Sequence, residues 1–89
     1  MKITAIETFV VKGNFAPWVF CAVRTDAGLT GYAEFGEGRV WRGMCGLVED
    51  IAPLVIGKDP RAVEAHYIHM VRSTRMIYGG ATWQAIAGI

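Results

Sequence analysis

His66 and His69 stand three residues apart, so on a helix they share a face. Two imidazoles at that spacing can bind a metal. A zinc site takes three or four protein ligands, however, and neither an HExxH pattern nor a third ligand stands nearby. The pair is read as solvated or packed. Glu34 and Glu37 offer a carboxylate pair for acid/base work. No nucleophile, histidine or metal cluster accompanies them, and they fall on a strand and a loop respectively. Glu34 is expected to hydrogen bond at a strand end, because a buried carboxylate must find partners. Gly36-Glu37-Gly38 is not a phosphate-cradling GxGxxG, and Gly57-Lys58 runs into Asp59 rather than Ser or Thr, which removes a P-loop. Cys21 and Cys45 are too few and too far apart for a zinc signature and read as reduced, buried structural thiols.

More suggestive are two stretches that mix glycine, large aromatics and charge, residues 12–18 and 36–41. Glycine supplies mobility, the aromatics exclude water, and Arg39 offers a planar fork for a carboxylate. An ordinary pair of polar turns is the competing reading.

The elements that must position these loops follow from the pattern. Residues 2–11 are rich in Ile, Thr, Phe and Val and read as a strand. Its alternation is imperfect: Ile3, Ala5, Phe9 and Val11 share one parity, Ile6 and Val10 the other. A bulge, or burial of both faces, accounts for that. Residues 18–25 form a second strand, with Val19, Cys21 and Val23 on one face and Trp18, Phe20, Ala22 and Arg24 on the other. Thr25-Asp26-Ala27-Gly28 is a compact hairpin turn in which Gly28 takes the left-handed conformation. Residues 29–35 are the third strand. Short connections make the three an antiparallel meander, which puts 12–18 and 36–41 at one end of the sheet.

A helix is expected over 40–52, with Leu47, Val48, Ile51 and Leu54 as its buried stripe and Pro53 tolerated near its end or bending it. Asp59 as N-cap and Pro60 at the first helical position start the next helix, running to about residue 75. Val63, Tyr67, Met70, Val71 and Thr74 share its inner face. Gly79-Gly80 ends that unit and an apolar helix begins at Trp83. Three strands followed by helices are an α+β arrangement.

Composition bounds the function. Apolar residues make up 53% of the chain and charged residues 19%, a high ratio for so small a core. Some apolar surface must stay outside, either on a helix without its partner or under another domain. A net charge of +1 gives no basic field for nucleic acid, so the three tryptophans are read as packing rather than base-stacking residues. No apolar run is long enough for a transmembrane helix, and MKITAIETF is not a signal-peptide core, so a cytoplasmic protein is expected. Ile89 precedes any helix stop signal, so a chain cut within an element is expected.

Four segments carry a family resemblance: MKITAIET, VRTDAGLTGYAEFGEG, VEDIAPLVIGKDPRAVEAHY and GGATWQAIAGI. In order and spacing they resemble the N-terminal capping domain of the enolase superfamily, in its mandelate racemase/muconate lactonizing enzyme group, over essentially the whole chain. The GEGR stretch and the GG…AIAGI ending are most similar to galactonate-dehydratase-like acid-sugar dehydratases. Ala33 stands where the family often has glycine. The resemblance implies an α+β cap on a modified TIM barrel that carries the Mg²⁺ ligands and the proton-transfer residues, none of them in these 89 residues. It implies that the cap closes the barrel mouth with loops 12–18 and 36–41. Phe15, Trp18, Glu37, Arg39 and Trp41 are therefore the candidate substrate-side residues, with no catalytic or metal-binding residue carried over.

The expected parent is a magnesium-dependent hydro-lyase acting on an acid sugar, homo-oligomeric, without nucleic-acid or membrane partners. The 89-residue chain by itself is expected to be unstable and inactive. A racemase, epimerase or cycloisomerase of the same group is the alternative, and a stand-alone binding or oligomerisation module is the reading from another class.

Overall fold

A computed structural model describes residues 1–12, 17–37, 41–74 and 79–89, with the backbone alone at 36 and 37. Strands β1 (Ile3–Lys12), β2 (Pro17–Thr25) and β3 (Thr30–Glu37) form one antiparallel sheet in the order β1-β2-β3, the expected meander. The hairpin between β2 and β3 closes as its residues dictate. Gly28 takes φ +78°, where a Cβ would be strained, and the Thr25 hydroxyl donates to the Leu29 carbonyl at 2.8 Å.

Two bulges set the faces of this sheet. In β1 the register steps from Ile3 opposite Thr25 to Ala5 opposite Arg24, which leaves Thr4 as the extra residue. The mixed parity of β1 follows from that step. Ile3 is in the core and Ile6 packs against it, whereas Phe9 and Val11 are exposed. In β3 the register steps from Glu34 opposite Phe20 to Gly36 opposite Val19, so Phe35 is the extra residue.

Helix α1 (Trp41–Ile51) presents Met44, Val48 and Ile51 at the i, i+4, i+7 spacing of a single helical face, and all three are buried. Leu47 and Leu54 are half-buried beside them, so the expected stripe holds and gains Met44. Pro53 falls within a 3-10 turn (Ala52–Leu54), where the missing N–H does little harm. The segment that follows is tied to β1: Gly57 N–H donates to the Ile3 carbonyl and Ile3 N–H to the Lys58 carbonyl, both at 2.8 Å.

Helix α2 spans Val63–Ser73 and begins later than the sequence suggests. Asp59 is not its N-cap. The Asp59 carboxylate is taken by the Arg61 N–H at 2.9 Å and by the Arg61 guanidinium at 2.7 Å, which folds 59–61 into a local turn. Ala62, at ψ 58°, then stands at the N-cap without a side-chain cap. The expected inner face is also half wrong. Met70 and Thr74 are buried and Val71 packs against the core, but Val63 and Tyr67 are exposed, the Tyr67 ring standing 6.5 Å from that of Trp83 on α3. Thr74 closes the helix by donating its hydroxyl to the Met70 carbonyl at 2.7 Å. Helix α3 (Gly80–Gly88) starts three residues before Trp83 and buries Thr82, Ala85, Ile86 and Gly88.

The core lies between one face of the sheet and the helices. Ile3, Val19, Cys21 and Phe35 meet Met44, Val48, Ile51, Val55, Met70, Ala85 and Ile86. No helix among the described residues is long and apolar enough to cross a membrane.

Candidate functional site

The strand register gathers the two candidate segments. Lys12 faces Pro17 across β1 and β2, and Trp18 faces Val11 on one side and Glu37 on the other. The end of β1, the start of β2 and the end of β3 therefore share one end of the sheet. Trp18 is 46% exposed there. Trp41 is the first residue of α1 rather than part of a loop. Its ring is half-buried against the core, with the Arg42 guanidinium 5.1 Å from its centroid, within cation–π range. Phe15 and Arg39 lie outside the described residues, as does the side chain of Glu37. The structure thus brings together Trp18 and the backbone of Glu37.

The outer sheet face holds an aromatic cluster that the strand pattern alone did not single out. Phe9 and Phe20 stack at 5.4 Å and 13°, and Tyr32 meets Phe9 edge-on at 6.3 Å and 83°. Ala22, opposite Glu7 and Tyr32 in the register, is buried although it lies on the outward parity of β2. The bulge at Thr4 was the missing signal, because it turns Phe9 to the side of Phe20. The Arg24 guanidinium pairs with Glu7 at 3.0 Å at the far end of this face, both partners half-exposed. Such an exposed pair adds little stability. Glu34 is exposed within β3, opposite Phe20, and not a buried strand-end group as expected.

A second feature lies at the other end of the sheet. A groove of about 380 Å³ runs between α2, α3 and the Ile3–Val23 end, lined by Val55, Val63, Tyr67, Met70 and Ile86 among others. Its lining is almost wholly apolar. His66 borders it and its Nε2 meets the Asp59 carbonyl oxygen, while His69 is exposed, so the two imidazoles do not converge. Among the described residues no group of three His, Cys, Asp or Glu side chains could hold a metal ion. The described residues therefore do not fit a Mg²⁺ site, and no chemical step is derived through one.

The titrating groups are structural. The hydrogen bonds from the Arg61 side chain and backbone hold the Asp59 carboxyl far below the usual carboxylate range, and the same pairing raises Arg61. Burial pushes the Cys21 thiol up. Both cysteines are free; Cys21 is buried and donates to the Gly88 carbonyl at 3.1 Å, whereas Cys45 is only half-buried.

A three-stranded meander backed by helices on one face, with the end of β1, the start of β2 and the end of β3 at one sheet end, defines a small α+β domain. The model of the mandelate racemase/muconate lactonizing enzyme N-terminal domain matches residues 3–89, and the chain belongs to that family. It is 38% identical over 91 residues to a D-galactonate dehydratase of Xanthomonas campestris pv. campestris, covering 100% of this chain and 22% of that one. It is 33% identical over 90 residues to a D-xylonate dehydratase of Haloferax volcanii, covering 99% of this chain and 21% of that one. Its fold matches an enolase of Agrobacterium radiobacter, solved with Na and L-malate, at a TM-score of 0.90 and 24% identity, over 99% of this chain and 22% of the other. The chain therefore spans about a fifth of the length of these relatives.

Proposed function

We propose that this chain is the substrate-capping domain of a magnesium-dependent acid-sugar dehydratase, whose catalytic TIM barrel and metal ligands belong to sequence beyond these 89 residues. The observation that carries the reading is the register that sets Trp18 opposite Glu37 at the end of the sheet shared by 12–18 and 36–41. Similarity to relatives named for dehydrating D-galactonate and D-xylonate supports an acid sugar as substrate. In this reading Phe15, Trp18 and Trp41 exclude water from the mouth of the barrel, and Glu37 and Arg39 contact the sugar hydroxyls and carboxylate. A cytoplasmic, homo-oligomeric parent belongs to the same reading.

The test is made in the full-length enzyme. Trp18→Ala and Arg39→Ala are each expected to lower kcat/KM for the preferred acid sugar by roughly tenfold or more, chiefly through KM, as loss of a substrate contact does. Metal affinity stays unchanged. Unaltered kinetics for both variants across an acid-sugar panel would remove the capping role. The family's own description names a racemase and a lactonizing enzyme, which keeps a racemase, epimerase or cycloisomerase as the second reading. Product analysis separates them: a dehydratase releases water and a keto acid, whereas a racemase or epimerase returns an inverted isomer and a cycloisomerase a lactone.

A further inference from the structure

Phe35 and Gly88 meet in a way that ordinary core packing does not require. A Cβ placed on Gly88 would lie 2.7 Å from the Phe35 Cβ and 3.1 Å from its Cγ. The nearest obstacle is the atom attached to the β3 backbone, so turning the ring cannot relieve it. Phe35 is also the extra residue of the β3 bulge. Without that bulge Trp18 would face Gly36; with it, Trp18 faces Glu37. The same glycine is gripped from β2, where the Cys21 thiol donates to its carbonyl at 3.1 Å.

We infer that Gly88 and Phe35 are positioning residues for the capping end of the sheet. The close approach of α3 to the bulge fixes where β3 delivers Glu37 beside Trp18. The inference rests on the capping reading above, and deepens it by tying substrate fit to the seating of α3. Bulges commonly re-aim the chain next to functional sites.

The experiment uses the full-length enzyme. Gly88→Ala is expected to raise KM for the preferred acid sugar by roughly tenfold, with kcat and magnesium affinity near wild type, since a displaced contact loses binding rather than chemistry. The double variant Gly88→Ala with Phe35→Gly removes the obstructing Cβ and is expected to recover part of that KM. Cys21→Ala, which introduces no clash, is expected to raise KM a few-fold in the same direction and serves where Gly88→Ala does not fold. A folded Gly88→Ala enzyme with wild-type KM overturns the inference. So does an unaltered KM in Cys21→Ala, or a KM rise in Gly88→Ala that a folded double variant does not reduce. Trp18→Ala separates the two levels. If it raises KM while the Gly88 and Cys21 variants do not, this inference falls and the capping reading stands. If none of the three changes KM and Arg39→Ala leaves it unaltered as well, both fall.

Discussion

Replacing Ile51 by alanine is expected to cost several times more stability than replacing Val63, although both are β-branched residues on helices. Ile51 is 2% exposed and sits in the core, whereas Val63 is 68% exposed at the start of α2. Ile51→Ala deletes three carbons at about 0.8 kcal/mol each, or about 2.4 kcal/mol of transfer free energy. The cavity left behind adds to this, for a total within the usual ~2–5 kcal/mol. A domain of this length has roughly 4–13 kcal/mol to lose. At about 4–8 °C per kcal/mol, the midpoint should drop by at least ~8 °C. Val63→Ala loses little burial and gains helix propensity, so its change should stay within about 0.5 kcal/mol. Thermal or urea denaturation followed by tryptophan fluorescence reads both values. Where the isolated chain gives no cooperative transition, the longer protein is used; there the Ile51 loss is read as a free energy, because the midpoint shift per kcal/mol shrinks with size, and the Val63 arm reports whether the groove is covered. A loss below 1 kcal/mol for Ile51→Ala would refute the assignment of α1's inner face.

Two further outcomes follow from single groups. Asp59, held low by Arg61, should remain ionised at pH 3 in a carboxyl-detected NMR titration, and Arg61→Gln should return its midpoint toward the ordinary ~3.9. Because the folded pKa lies below the unfolded one, the turn's contribution is complete above the unfolded carboxylate pKa and fades as pH falls toward the folded value; a wild-type midpoint near 4 contradicts the pairing. Cys45, half-buried, should be alkylated in the folded protein well before Cys21, which is buried with its thiol pushed up; equal labelling rates would contradict the burial of Cys21 beneath α3.

The strands, their order and the α1 stripe were legible because each rests on a short-range pattern. Alternation marks Val19, Cys21 and Val23, and Gly28 marks the turn. Where the reading failed, a side chain had two uses and tertiary contact chose between them. Asp59-Pro60 has the residues of a helix start, but the adjacent Arg61 outbids the helix for the carboxylate, and α2 waits until Val63. Val63 and Tyr67 keep the spacing of a buried face, yet spacing states only that two residues share a side. Whether anything packs against that side is a property of the rest of the fold.

The candidate site shows the same division at finer scale. That 12–18 and 36–41 share one sheet end follows from meander topology, and the sequence suffices for it. That Glu37 rather than Gly36 stands opposite Trp18 depends on a single unpaired residue, Phe35. Nothing local in GYAEFGEG marks Phe35 as extra, since an apolar residue two positions after Ala33 continues the alternation without interruption. The marker lies 53 residues later, in a glycine of α3 whose missing side chain leaves room for the bulge. The register at one end of this sheet is thereby linked to the seating of a helix that a reading of β3 alone would never consult.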